Sequence, residues 1–340
     1  MFARAVNEDA TIKAALKDVI LFKVDCEKGE GIELAKKYEV RGYPTFVAMN
    51  SKGEVTDSWV GYGGPEQWSQ TALMAAADPR TIPEKKKAYD AEPTADLAVC
   101  LANDASTSYD FASAVEYYRK ARELNPEGLA EYTEQILTFM YYGAQGGAFT
   151  FDDVEKEAKL SLAKTNPTPE QQVELALMLR DMARQIGEPE RAVPYITSAL
   201  KVSEGHTDEG VLKNRTQLEI DYALLVDKDK DQALELFRST FSEGWMENAD
   251  KLNNFSWWCF ENDVNLEEAA ELAHKGVELA DSDGARANIL DTVAEICSKL
   301  GNCDQAVAHM ERAVELDPEK QYFKDQLVKF QKVLEEKQNG

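Results

Sequence analysis

Thiols are scarce in this chain and imidazoles scarcer: five cysteines and three histidines are spread over 340 residues. Cys26, Cys100, Cys259, Cys297 and Cys303 form no Cys-x-x-Cys and show no metal-ligand spacing, so neither a disulfide framework nor a zinc site is expected. His206, His274 and His309 share no helix-face spacing, which argues against a catalytic or metal-binding histidine site, and no cofactor is expected. No Gly-x-Gly-x-x-Gly or Walker pattern occurs, so Gly63 and Gly64 read as a turn leading to Pro65 at the first turn of a helix. There is no run of about 18 apolar residues, and the opening "MFARAVNEDATIK" lacks the charged, apolar and small-residue order of a secretory signal. A membrane is therefore not expected as a partner. The cytoplasm is the default compartment for the chain as written, and the periplasm the alternative for a longer parent with a signal peptide. Positive charge is short as well. With 38 basic against 62 acidic side chains the formal charge is −24, which disfavours nucleic-acid backbones and anionic lipid, and makes any charged partner a basic one.

What is present changes character near residue 80. Strand-like and helical stretches alternate before it, and almost everything after it reads as helix. The stretch "DPRTIPEKKKAYDAEPTAD" holds Pro79, Pro83 and Pro93 and reads as a linker over 79–93, with the run Lys85 to Lys87 as a solvated face.

Beyond the linker the chain is self-similar. Its last clear copy is "ANILDTVAEICSKLGNCDQAVAHMERAVELDPEK", with Leu290, Val293, Ala294 and Cys297 on a first helix, Gly301 at the turn, and Ala306, Met310 and Ala313 on a second helix that Pro318 ends. Small residues let two helices approach closely, and Gly301 suits a helix C-cap. Cys297 and Cys303 flank this turn and read as structural thiols. Second-helix alanines recur at 114, 192, 233, 269 and 306, separated by 78, 41, 36 and 37 residues, and the widest gap holds two repeats, one of them of uncertain register. This order of small and large residues resembles the tetratricopeptide repeat. The resemblance implies five to six helix pairs stacked as an α-solenoid, whose faces bind proteins or extended peptides. In the aromatic run Phe255, Trp257, Trp258 and Phe260, helical spacing favours interhelix core, and Trp258 is the candidate for a partner-binding aromatic.

The first 78 residues hold a proline in an unusual place. "RGYPTF" puts Pro44 where a strand begins, after an aromatic residue, which raises the question of a cis peptide bond. Around it, "VILFKVD" reads as a buried parallel strand and "GIELAKKYEV" as a short helix with Leu34, Ala35 and Tyr38 on one face. "TFVAMN", "SKGE" and "VTDSWVGY" read as an antiparallel hairpin. The stretch "KVDCEKGEGIELAKKYEVRGYPTFVAMNSKGEV" resembles the second half of the thioredoxin fold. By that resemblance Pro44 is the cis-proline, Tyr43 and Thr45 flank a groove for an extended substrate, and Met1 is an internal methionine downstream of a missing cysteine pair. The family's central strand would lie between "ILFKVD" and "TFVAMN". Its loss would open a gap of about 10 Å, so the two segments are expected to close into a direct parallel pair. Cys26 is the only thiol of this part and the candidate reactive one, with acidic neighbours that oppose a thiolate.

The expected architecture is α/β plus all-α: an incomplete thioredoxin-like domain over 1–78, a linker over 79–93, repeats over 94–334 and a polar tail over 335–340. Two functions of different class follow. One is a protein or peptide binder without catalytic residues in this chain. The other is a thiol-disulfide oxidoreductase whose Cys-x-x-Cys lies upstream of Met1. Oligomeric state is left open.

Overall fold

The computed structural model describes residues 2–17 and 19–339, and these group by contact into two compact units, Met1–Ala192 and Val193–Gly340. The first unit begins with short helices α1 (Phe2–Glu8) and α2 (Ala10–Ala15), the latter capped by the Asp9 carboxylate on the Thr11 and Ile12 amides. After α3 (Glu30–Lys37) come strands β1 (Thr45–Met49) and β2 (Val55–Val60), then α4 (Pro65–Ala77) with Pro65 in its first turn. The strands pair antiparallel from Thr45 opposite Val60 to Met49 opposite Val55, with an irregularity between Ala48 and Met49. One face of this hairpin carries an aromatic cluster. Phe46 stacks on Trp59 at 5.3 Å, and Phe2 meets Phe46, Tyr62 and Trp68 at 4.8, 5.3 and 4.8 Å, all closed over by fully buried Ile12.

The sheet corrects the expected thioredoxin-like domain: among the described residues only β1 and β2 pair. "VILFKVD" forms no strand. Val19, Ile20, Phe22 and Val24 are 41, 96, 79 and 39% exposed, and the expected parallel pairing with "TFVAMN" is absent. A strand apolar on both faces persists only where neighbours cover both faces and both edges. Here no strand of the described residues pairs with either edge of the segment, and it runs without a ladder.

Helix α5 (Ile82–Ala91) occupies the stretch expected as a linker, opened by a capping box between Thr81 and Glu84. Lys85 departs from the solvated face assigned to the lysine run: it is 2% exposed, because β2 packs over it. Lys86 and Lys87 do lie at the surface. The helix hairpins follow as α6 (Ala95–Thr107) with α7 (Phe111–Leu124), and α8 (Leu129–Gln145) with α9 (Phe151–Lys164). The unit closes with α10 (Pro169–Gln185) and a 3-10 turn over Pro189–Ala192. Second-helix positions Ala114, Val154 and Ala192 are fully buried, so Val154 supplies the anchor missing from the alanine series. Arg122 bridges three helices: it donates to the Thr133 hydroxyl at 3.0 Å and pairs with the buried Glu157 carboxylate.

The second unit comprises α11 (Val193–Val202), α12 (Glu209–Tyr222), a π-helical turn over Ala223–Asp227, and α13 (Lys230–Ser239). Then follow the hairpins α14 (Ala249–Asn262) with α15 (Leu266–Leu279) and α16 (Asp283–Lys299) with α17 (Cys303–Leu316), and the closing helix α18 (Gln321–Asn339), which covers most of the expected polar tail. Ala233, Ala269 and Ala306 have no exposed surface. Gly301 adopts φ +81°, the left-handed conformation its place after α16 requires. Helix α16 buries side chains around much of its circumference, as a helix with neighbours on several sides does. Phe323 and Phe330 of α18, each 1% exposed, close this core.

Candidate protein-binding surface

The corner that holds Pro44 is built on the first helix hairpin. The Tyr43–Pro44 peptide bond is cis, and the Pro44 carbonyl accepts the Gly61 amide at 2.8 Å, which ties the corner to the end of β2. The Thr45 hydroxyl donates back to the Gly42 carbonyl at 2.6 Å. Tyr43 is 64% exposed, Pro44 is also at the surface, and Thr45 is half-buried at the start of β1. On the other side of the corner, the Tyr109 hydroxyl donates to the Arg41 carbonyl at 3.1 Å, and the Arg41 guanidinium lies 5.9 Å from the Tyr109 ring centre. A Cβ on Gly42 would sit 3.1 Å from that same hydroxyl, so the close approach favours glycine there.

Tyr109 is held in a conformation its residue type disfavours. It lies in the turn between α6 and α7 at φ +62°, with its amide on the Ser106 carbonyl at 3.0 Å and the Asp110 amide on the Ala105 carbonyl at 3.0 Å. Glycine is the usual occupant of such a helix C-cap, and a bulky residue there costs roughly 1 kcal/mol. The tyrosine lines a groove of about 470 Å³ together with Asp110, Phe111, Tyr142, Gly143 and Gly146. The Phe111 ring is 5.5 Å from Tyr109 and 6.0 Å from Tyr142, and Tyr109 and Tyr142 are 46 and 49% exposed. Gly143 is buried against the Phe149 ring and the Phe111 Cβ, which brings the end of α8 in close. Neither Tyr109 nor Tyr142 was singled out by the sequence. A bulky residue in place of glycine at a helix end was the one local signal.

A second constellation lies between β2, α5 and α6. The Lys85 ammonium donates to the Thr56 carbonyl at 2.8 Å and stands 3.7 Å from the Asp57 carboxylate, with both side chains almost wholly buried. Burial pushes the Asp57 carboxyl up to about 6, against the pull of Lys85 in the other direction. Burial likewise raises Asp104, whose carboxylate accepts the Ser58 hydroxyl at 3.1 Å. Lys85, Asp57 and Cys100 line a cavity of about 550 Å³ with Arg80, Met74 and Leu97. The Cys100 thiol is pushed up first by burial and then by Asp57, which disfavours the thiolate that nucleophilic chemistry requires.

The remaining sequence candidates fall elsewhere. Cys26 is half-buried in the turn before α3, and all five cysteines are free thiols. Burial raises Cys297 and pushes Cys259 up to about 12. Trp258 is half-buried and stacks on Phe237 at 4.2 Å, beside Phe241, Trp245 and Phe255 in the second unit's aromatic core. His274 and His309, which share no helix face, meet across α15 and α17 with ring centres 4.9 Å apart, and burial lowers His309. Among the described residues no three histidine, cysteine, aspartate or glutamate side chains gather to hold a metal ion, and no helix is long and apolar enough to cross a membrane.

Residues 287–320, which cover most of α16 and all of α17, match the tetratricopeptide repeat. No curated protein sequence matches the chain. Solved structures with similar helical layouts include the Cut9–Hcn1 hetero-tetramer of APC/C, at 14% identity and TM-score 0.42 over 77% of this chain. The chain spans 49% of that structure's length. Others are the TPR2AB-domain complex of yeast Sti1 with pHSP90, at 16% identity and TM-score 0.30 over 71% of this chain and 84% of that one, and the TPR domain of P58(IPK), at 17% identity and TM-score 0.27 over 82% and 72%.

Proposed function

We propose that this chain is a protein-binding scaffold, in which helix hairpins present surfaces to extended segments of partner proteins and the corner at Tyr43, Pro44 and Thr45 adds a contact point. The observation that carries this reading is the recurrence of one hairpin pattern, with fully buried small anchors at Ala114, Ala192, Ala233, Ala269 and Ala306, together with the tetratricopeptide match over 287–320. Repeats of this kind stabilise one another through shared cores and leave broad polar surfaces for recognition. The exposed Tyr43 beside Pro44 supports a contact role for the corner, since large exposed aromatics recur at interfaces. No observation in the molecule favours thiol exchange: the chain has no paired thiols, and its described buried cysteines with resolved shifts are all pushed away from the thiolate.

The test is photo-crosslinking in cells with benzoylphenylalanine at position 43 and at exposed positions of the repeat helices. Discrete, reproducible adducts with other polypeptides are expected. Their absence at every position would overturn the scaffold reading, and turnover in an insulin-reduction assay would replace it.

A further inference from the structure

We infer that the groove between Tyr109, Phe111 and Tyr142 receives an arginine or lysine side chain from a basic segment of a partner protein, an assignment that rests on the scaffold reading above. Three independent features of the groove favour a cation. Its walls are aromatic, with Tyr109 and Tyr142 half exposed on either side of Phe111, and ring faces attract cations through their quadrupole. Its floor is the C-terminal end of α8 at Tyr142, Gly143 and Gln145, where the aligned peptide dipoles leave partial negative charge. Its rim carries the exposed Asp110 carboxylate, which caps α7 through the Ser113 amide at 3.1 Å. No lysine or arginine lines it.

The environment agrees with that charge preference. The whole chain carries a formal charge of −24, so a basic segment is drawn toward it over distances longer than any one contact. The left-handed conformation of Tyr109 fits the same assignment. A glycine would satisfy the turn with less strain, but only an aromatic side chain supplies both the hydroxyl on Arg41 and a wall of the groove.

The experiment measures fluorescence anisotropy of labelled dodecapeptides of alternating Arg-Gly, Glu-Gly and Ser-Gly sequence with the full chain at fixed ionic strength. The Arg-Gly peptide is expected to bind best. Tyr142→Ala should weaken it about tenfold, Tyr142→Phe less than about twofold, and Val328→Ala, at an exposed site of the second unit, not at all. Asp110→Asn keeps the helix cap while removing the charge, and should weaken the peptide about threefold and reduce the salt dependence. If the Arg-Gly peptide binds but both Tyr142→Ala and Asp110→Asn leave it unchanged, the groove assignment falls and the scaffold reading stands. Preference for Glu-Gly or Ser-Gly has the same consequence. If none of the three peptides binds and photo-crosslinking also yields no adducts, both readings fall; if no peptide binds while adducts form, only the groove assignment does.

Discussion

The buried pair Asp57–Lys85 gives the sharpest test of how the hairpin is held on the helices. The Lys85 ammonium lies 3.7 Å from the carboxylate and 2.8 Å from the Thr56 carbonyl, Asp104 and Cys100 stand nearby, and both charged side chains are almost entirely out of water. If attraction dominated, the Asp57 carboxyl would sit below its ordinary value of 3.8; instead burial carries it to about 6. A carboxyl that holds its proton more tightly in the folded than in the unfolded chain stabilises the fold at low pH. That contribution is complete below the unfolded value and is lost as pH rises through the folded one. A difference of roughly two units corresponds to about 3 kcal/mol, lost between about pH 4 and pH 6.

Asp57→Asn removes this titration while keeping the shape of the side chain. Native-state hydrogen exchange of the amides of β2 and α5, corrected for the intrinsic rate at each pH, reports the local opening free energy in both proteins. The difference between variant and wild type should move by about 3 kcal/mol in the variant's favour between pH 4 and pH 7, because every other titrating group nearby is common to both. A difference that stays flat within about 0.5 kcal/mol, or that slopes the opposite way, would refute the argument that desolvation outweighs the lysine.

Three further outcomes follow from the packing. Ala233→Leu should destabilise the second unit by about 1–3 kcal/mol in urea unfolding, since its anchor position is fully buried and has no room for three more carbons. Trp258→Ala should lower the same unit's stability by about 2–3 kcal/mol through loss of the stack on Phe237, and should leave the binding of the Arg-Gly peptide unchanged. Phe22→Asp should change the thermal midpoint by no more than the equivalent of about 0.5 kcal/mol, because its side chain is 79% exposed in a segment with no ladder; a larger loss would mean that the segment packs.

The helix hairpins were legible because their signal is periodic and local. A small residue recurs every repeat where two helices cross, and burial of Ala114, Ala192, Ala233, Ala269 and Ala306 follows from that spacing alone. Val154 was hidden in the wide gap because it is larger than the residue sought there. The segment 19–25 was misread for the opposite reason: an apolar run specifies a strand only when partners cover both edges, and partners are a property of the whole fold. Nothing within a run of three lysines marks Lys85 as the buried one. That depends on β2, some thirty residues earlier, supplying a carbonyl and a carboxylate above it. The His274–His309 contact had a usable clue, since the two lie about one repeat apart on second helices and stacking brings such positions together.

The same long-range contacts tie the hairpin to α5 and to the first helix pair within the first unit. Three tethers leave β2 and the corner before β1 for three different places on the helices: Asp57 and the Thr56 carbonyl to Lys85 on α5, Ser58 to Asp104 on α6, and the Arg41 carbonyl to Tyr109 beyond the end of α6. A hairpin fixed at only one of these points could pivot; fixed at all three it cannot. The Tyr43–Pro44 corner and the groove beside Tyr109 are thus tied together by three polar contacts, of which the one at Lys85 is buried, and a partner that engages both meets a preorganised surface. Loss of any one tether should therefore weaken a two-point contact more than a one-point contact, because the lost rigidity is felt only where two sites must be met together.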